Sequence, residues 1–143
     1  FFHEAGAFGG KPMPKNPIVI PDRAPDVVVE DYISPVQNLL YRLTGDTNLI
    51  HVDPEYAKDH KFDQPIIQGL CSFGFSCRMA IDALIPGEPE RATRMAAQMR
   101  NVLLPDTPVA LHIWKEAEGK ALFQFVDTKN NRPVLDRGVF EWK

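Results

Sequence analysis

The segment from Gly69 to Leu84 constrains the fold more than any other part of the chain. Its only charged members are Arg78 and Asp82, Ser72 and Ser76 are the other polar exceptions, and Pro86-Gly87 stops it. The spacing predicts one long helix that is apolar nearly all round, and such a helix must be buried on most sides. The chain therefore has to supply something that wraps it. The residues beyond Gly87 read as strands near 95–104, 108–117, 120–127 and 134–142, with turns at Pro105-Asp106-Thr107, Glu118-Gly119 and Asn130-Asn131-Arg132-Pro133. Consecutive strands joined by short turns make an antiparallel meander. A meander and one buried helix predict an α+β fold in which an antiparallel sheet wraps around the long central helix.

The elements ahead of that helix are shorter. Val27-Val28-Val29-Glu30-Asp31-Tyr32 is a β-rich run. Ser34-Pro35-Val36-Gln37 offers an N-cap, a proline at the first helical position and a capping-box glutamine, and Val36, Leu39, Leu40 and Leu43 follow helical spacing up to Gly45. A further short helix is predicted from Asp53-Pro54 to about His60. Before residue 26 the character changes, because Pro12, Pro14, Pro17, Pro21 and Pro25 crowd there beside Gly6-Ala7-Phe8-Gly9-Gly10. Residues 1–25 read as an extended, semi-rigid connector ahead of a domain spanning 26–143. Phe1, Phe2 and Phe8 call for another surface to pack on.

Composition narrows the function. With 143 residues, 16 Lys+Arg against 19 Asp+Glu and a formal net charge of −3, the chain suits one ordinary domain and lacks the basic balance usual in nucleic-acid binders. No apolar run is long enough for a membrane span, and no signal peptide opens the chain. Cys71 and Cys77 lie on different faces of the long helix by spacing, so no disulfide framework is expected. A reducing compartment, the cytoplasm, is the simpler reading. The chain opens on Phe1 rather than Met, as a fragment or processed product does.

The chemistry is concentrated between Tyr41 and Pro54. Asp46 and His51 flank a non-helical turn between a helix end and a helix start, so a carboxylate and an imidazole can project into one cleft as an acid/base pair. The same two residues also suit a plain turn. Gly69 opens the long helix, where free amides and the positive end of the dipole meet developing negative charge. Glycine there also suits a plain turn. His3, His51, His60 and His112 show no metal-ligand spacing, so no metal is expected. Cys71 sits near a helix N-terminus, where a thiolate is favoured, although a buried structural thiol is the commoner state.

The run Tyr41 to His51, followed by Asp53-Pro54-Glu55-Tyr56-Ala57, resembles the hydratase-2 signature of the MaoC-like, hot-dog-fold (R)-specific enoyl-CoA hydratases. The resemblance continues through Pro65-Ile66-Ile67-Gln68-Gly69-Leu70-Cys71, Leu104-Pro105-Asp106-Thr107 and Val134-Leu135-Asp136-Arg137-Gly138-Val139. It implies a hot-dog fold and hydration of a trans-2-enoyl-CoA to the (3R)-hydroxyacyl-CoA, or the reverse, in fatty-acid or lipid metabolism. It implies Asp46 and His51 as the catalytic pair, Asn48 as the residue orienting water or a catalytic partner, and Gly69 as the amide donor to the thioester oxygen. It implies no cofactor, the CoA thioester being the substrate. Two positions depart from the pattern: Leu49 stands where the family has Pro, which leaves φ unfixed between the pair, and Gln68 where it often has His.

Gly6-Ala7-Phe8-Gly9-Gly10 and Pro21-Asp22-Arg23-Ala24-Pro25-Asp26 also resemble the junction between repeats of double-hot-dog hydratases. That resemblance makes the chain a C-terminal repeat and implies a second hot-dog unit as partner, either another copy or a homologous first repeat. Eukaryotic relatives of that type would place it in the peroxisome. Two rival activities share these features: a hot-dog acyl-CoA thioesterase, and a non-catalytic acyl-CoA-binding repeat.

Overall fold

A computed structural model describes residues 17–143. The long helix forms where expected, as α3 (Gly69–Leu84), and strand β1 (Val27–Ile33) precedes it. Two short helices lie between them, α1 (Gln37–Arg42) and α2 (Pro54–Asp59), and four strands follow: β2 (Ala92–Met99), β3 (Thr107–Ala117), β4 (Lys120–Asp127) and β5 (Arg132–Trp142). All pair antiparallel in one five-stranded sheet of order β1-β3-β4-β5-β2. α3 contacts β1, β2, β3 and β5, so the sheet curls around it as expected. Among the described residues no helix is long and apolar enough to cross a membrane.

Burial along α3 explains its composition. Cys71, Ser72, Ser76, Met79 and Ala80 are buried, while Leu70, Gly74, Arg78 and Asp82, at four-residue spacing, form one exposed stripe. The two serines are small enough for the interface, and their hydroxyls turn back onto the helix: Ser76 Oγ donates to Phe73 O at 2.8 Å. Arg78 leaves the core to pair with Asp31 on β1 and Asp82 one turn on. Against this helix the sheet presents Leu111, Ile113, Phe123, Phe125, Leu135 and Phe140.

The central strands are buried on their other face too. Trp114, Leu122 and Val139 are covered by Ile18 and Ile20, and Trp114 Nε1 donates to Arg23 O at 3.0 Å. Residues 17–25 thus lie as an irregular strap across the back of the sheet. The aromatic and glycine-rich residues 1–10, read as the end of an upstream repeat, lie outside the described residues.

Two expectations are corrected. The strand expected near 95–104 is β2, Ala92–Met99, followed by a loop. Its Ala, Gln and Met residues carry no period-2 signal to mark its ends. The capping box at Ser34 does not close: Ser34 Oγ accepts from Val36 N at 3.3 Å, but the Gln37 side chain reaches Cys71 Sγ at 3.8 Å instead of turning back, and α1 begins at Gln37. The leucine stripe of this segment faces outward. Val36, Leu39, Leu40 and Leu43 are exposed, and the buried position is Asn38.

Gly138 pairs with Phe123 across β5 and β4, and a Cβ at Gly138 would lie 2.6 Å from three atoms of that buried ring. Gly138→Ala is therefore expected to destabilise by about 1–3 kcal/mol through overpacking, read as a lower urea midpoint. A parental midpoint would show that the ring has room to move.

Candidate active site

The turn that carries Asp46 and His51 is built from local hydrogen bonds. Gly45 takes φ +106°, which a side chain would resist, and turns the chain out of α1. Asp46 Oδ1 then accepts from Asn48 N at 3.1 Å, Asn48 Oδ1 accepts from Ile50 N at 3.2 Å, and Asp53 Oδ1 accepts from Glu55 N at 2.9 Å. Each is a short polar side chain satisfying a backbone N–H two residues on. Leu49–His51 forms a single 3₁₀ turn capped by Asn48, so the turn is held without the proline that Leu49 replaces. Asn48 meets Asp46 through its backbone amide, while its side-chain oxygen caps the turn.

His51 is fixed from outside the turn. Its Nδ1 lies 2.9 Å from Ile66 O, and because a carbonyl only accepts, Nδ1 carries the hydrogen. In the neutral ring, Nε2 then offers a lone pair on the side of Asp46 Oδ2, 3.9 Å away. Both side chains are largely withdrawn from solvent, 14% exposed for His51 and 21% for Asp46. The Asn48 amide holds the Asp46 carboxyl below the ordinary carboxylate range, partial burial opposing it, and the Gln68 amide, His51 and Arg42 lower it further.

Two hollows meet at this pair. A cavity of about 250 Å³ is lined by His51, Ile66, Ile67, Gly69, Leu103 and Leu135 among others, and an adjoining groove by Tyr41, Asp46, His51, Gln68 and Gly69. His51 and Gly69 belong to both. The structure thus brings Asp46, His51 and Gly69 to one place. Gly69 is the first residue of α3, whose first-turn amides have no acceptor within the helix. Met99 packs on it: a Cβ at Gly69 would lie 2.8 Å from Met99 Sδ. The Cys71 thiol is buried and pushed up by that burial, with Gln37 opposing, so it is not poised as a thiolate.

Sequence reasoning does not single out Asn38 or Met99, and it marks Gln68 only as a departure from a pattern. Asn38 Nδ2 donates to His51 O at 2.6 Å, and Gln68 Nε2 donates to Asn38 O at 3.1 Å. These contacts join residues 13 and 30 positions apart, which no local pattern exposes. The available signal is an Asn at i−4 from Arg42 within a leucine-bearing helix.

The lowered Asp46 pKa has a thermodynamic consequence. A carboxyl whose folded pKa lies below its unfolded value of about 3.9 contributes stability that is present above that pH and lost as pH falls through the folded value. The stability gap between the parent and Asp46→Asn is expected to shrink as pH drops from about 6 to about 3, measured by urea melts at each pH. A constant gap would show that the site does not favour the ionised carboxyl.

Comparison with known proteins places the fold in a family. Residues 17–135 match the MaoC-like domain family. The chain is 38% identical over 130 residues to the enoyl-CoA hydratase ChsH3 of Mycobacterium tuberculosis, covering 91% of this chain and 46% of that protein. It is 33% identical over 138 residues to the peroxisomal enoyl-CoA hydratase 2 of Arabidopsis thaliana, covering 94% and 44%. A solved MaoC-like dehydratase from Phytophthora capsici superposes with a TM-score of 0.88 at 35% identity, covering 94% of this chain and 47% of that one. The chain spans about half the length of these relatives. With its antiparallel sheet wrapped around α3 and a family match running from the strap to β5, this α+β hot-dog chain belongs to the MaoC-like family.

Proposed function

We propose that the chain adds water across the C2=C3 bond of a trans-2-enoyl-CoA to give the (3R)-hydroxyacyl-CoA, and catalyses the reverse dehydration. The observation that carries this reading is the placing of Asp46, His51 and the α3 N-terminus at Gly69 around one junction of two hollows. The relatives' names as enoyl-CoA hydratases support it. The thioester oxygen sits against the Gly69 amide, where the helix end stabilises the enolate that forms as hydroxide adds to C3. The lone pair on His51 Nε2 takes the proton that the attacking water gives up.

Hydration puts OH on C3 and H on C2, so the protein must return the proton it takes. Asp46 is ionised at neutral pH and has no proton of its own to donate. In this reading it stabilises the imidazolium and acts as the acid by passing on to C2 the proton that His51 collected. Asn48 orients Asp46 through its backbone amide. No cofactor is required, since water and the CoA thioester are the only reactants. The apolar cavity beside His51, with Ile66, Ile67, Leu103 and Leu135, suits the acyl tail. Two free cysteines and the peroxisomal relative support a reducing compartment, cytoplasm or peroxisome.

The partner in this reading is a second hot-dog unit, a further copy or a homologous repeat. The edge strand β2 ends at Met99, beside Gly69, so a unit pairing with that edge arrives at the cleft. The exposed Leu70 lines the same groove, and α1, which also lends it Tyr41, carries the exposed Leu39 and Leu40.

Loss of enoyl-thioester ultraviolet absorbance on adding crotonyl-CoA tests the activity. His51→Ala and Asp46→Asn are each expected to lower turnover by about 10²–10⁴-fold with parental circular dichroism, and Gly69→Val by a similar factor. Release of free thiol with no hydration would move the chain to the thioesterases, and near-parental rates in the variants would remove these residues from the mechanism. Light scattering is expected to give a mass above the 16.1 kDa of one chain. A fully active monomer would refute the two-unit site.

A further inference from the structure

Among the described residues, four buried side-chain polar atoms have no hydrogen-bond partner: Asn38 Oδ1, Arg42 Nη1, Asp46 Oδ2 and Gln68 Oε1. All four lie where α1, the Asp46–His51 turn and the start of α3 converge. Each unsatisfied buried group costs stability that an apolar side chain of similar shape would keep. The concentration of this cost at one place needs a reason, and the geometry of the two amides supplies one.

Gln68 is only 4% exposed and Asn38 6%. Gln68 occupies the N-cap position of α3 yet makes no capping bond; its side chain turns away from the helix, and Nε2 donates to the Asn38 carbonyl. Asn38 in turn donates to the His51 carbonyl. The two amides therefore tie the start of α3 to α1 and α1 to the catalytic turn. Gln68 also lines the groove shared by Asp46, His51 and Gly69. Gln68, with His51 and Arg42, favours the charged form of the Asp46 carboxyl after the larger contribution of the Asn48 amide, although Asp46 Oδ2 completes no hydrogen bond in the free chain. The second hydrogen of Nε2 is the donor available to that carboxyl.

We propose that Gln68 is a positioning residue for the acid/base pair: its buried amide, anchored on the α1 backbone, stands in the same groove as the Asp46 carboxyl with one donor hydrogen to spare, and sets the carboxyl's place relative to His51 and to the Gly69 amide. This deepens the hydratase reading and rests on it. Gln68 itself touches neither water nor the reacting carbons; its effect passes through Asp46. A polar side chain of this length at the α3 cap does what a short capping residue there could not, because Ser or Asp would satisfy the helix amides and leave the carboxyl unsupported.

A double-mutant cycle separates positioning from mere structural support. Crotonyl-CoA hydration is measured for the parent, Gln68→Leu, Asp46→Asn and the double variant, each with a thermal melt. Gln68→Leu is expected to lower kcat by about 10-fold or more with little change in KM, and by less than about 2-fold when combined with Asp46→Asn. Gln68→Glu, nearly isosteric, carries the test if the leucine variant does not fold. Its added charge is expected to lower kcat in the parental background and to have little effect in the Asp46→Asn background. Equal losses in both backgrounds, or no loss in either, would overturn the proposal while leaving the hydratase reading intact. A parent chain that hydrates no enoyl-CoA would overturn both.

Discussion

The resting place of the α3 N-terminus is the constraint on which the site depends. A helix with Phe, Met, Ile and Ala on most of its surface has to be enclosed, and the five strands enclose it. Enclosure fixes the helix axis, and with it the direction in which the unbonded amides of the first turn point. The turn from Asp46 to His51, the Ile66–Ile67 segment and the loop after β2 run together there, as the hydrogen bonds from Ile66 N to Ile50 O and from Ile67 N to Leu103 O show. The hydrophobic effect is non-directional, yet here it aims an electrostatic device.

A second level of order is local and polar. Asp46, Asn48 and Asp53 each satisfy backbone groups two or three residues away, so most of the turn's geometry comes from its own side chains. His51 draws its hydrogen bonds from farther off, through the carbonyl of Ile66 and the side-chain amide of Asn38. A division of this kind has the imidazole held by the fold and the carboxyl mainly by its own turn. The two meet at 3.9 Å, with neither completing a hydrogen bond to the other in the free chain.

Much of this was legible in the sequence, for reasons that differ by residue. α3 could be read because an all-round apolar run with a Pro-Gly stop admits few alternatives, and β3 to β5 because Gly119 and Asn131 mark turns at positive φ. Asp46, His51 and Gly69 could be named as candidates because they fall within a short motif and at a helix start, and the structure brings them together. The boundaries of β2 could not, since Ala and Gln occupy a half-exposed edge without strong alternation. Nor could the orientation of α1. Its leucine spacing marks a stripe, but spacing alone does not say whether the stripe faces the core or something else. Gln68 and Asn38 escaped because their meaning lies in long-range contacts.

α1 carries two duties on opposite faces. Inward, Asn38 and Arg42 look onto the turn that carries Asp46 and His51; outward, Leu39, Leu40 and Leu43 face solvent. A helix of six residues has little stability of its own and takes its order from what it packs on. Order on the two faces is therefore one quantity: a turn and a half of helix leaves no slack between the leucines outside and the amide that grips His51 inside, and any change in how firmly one face is held is felt at once on the other.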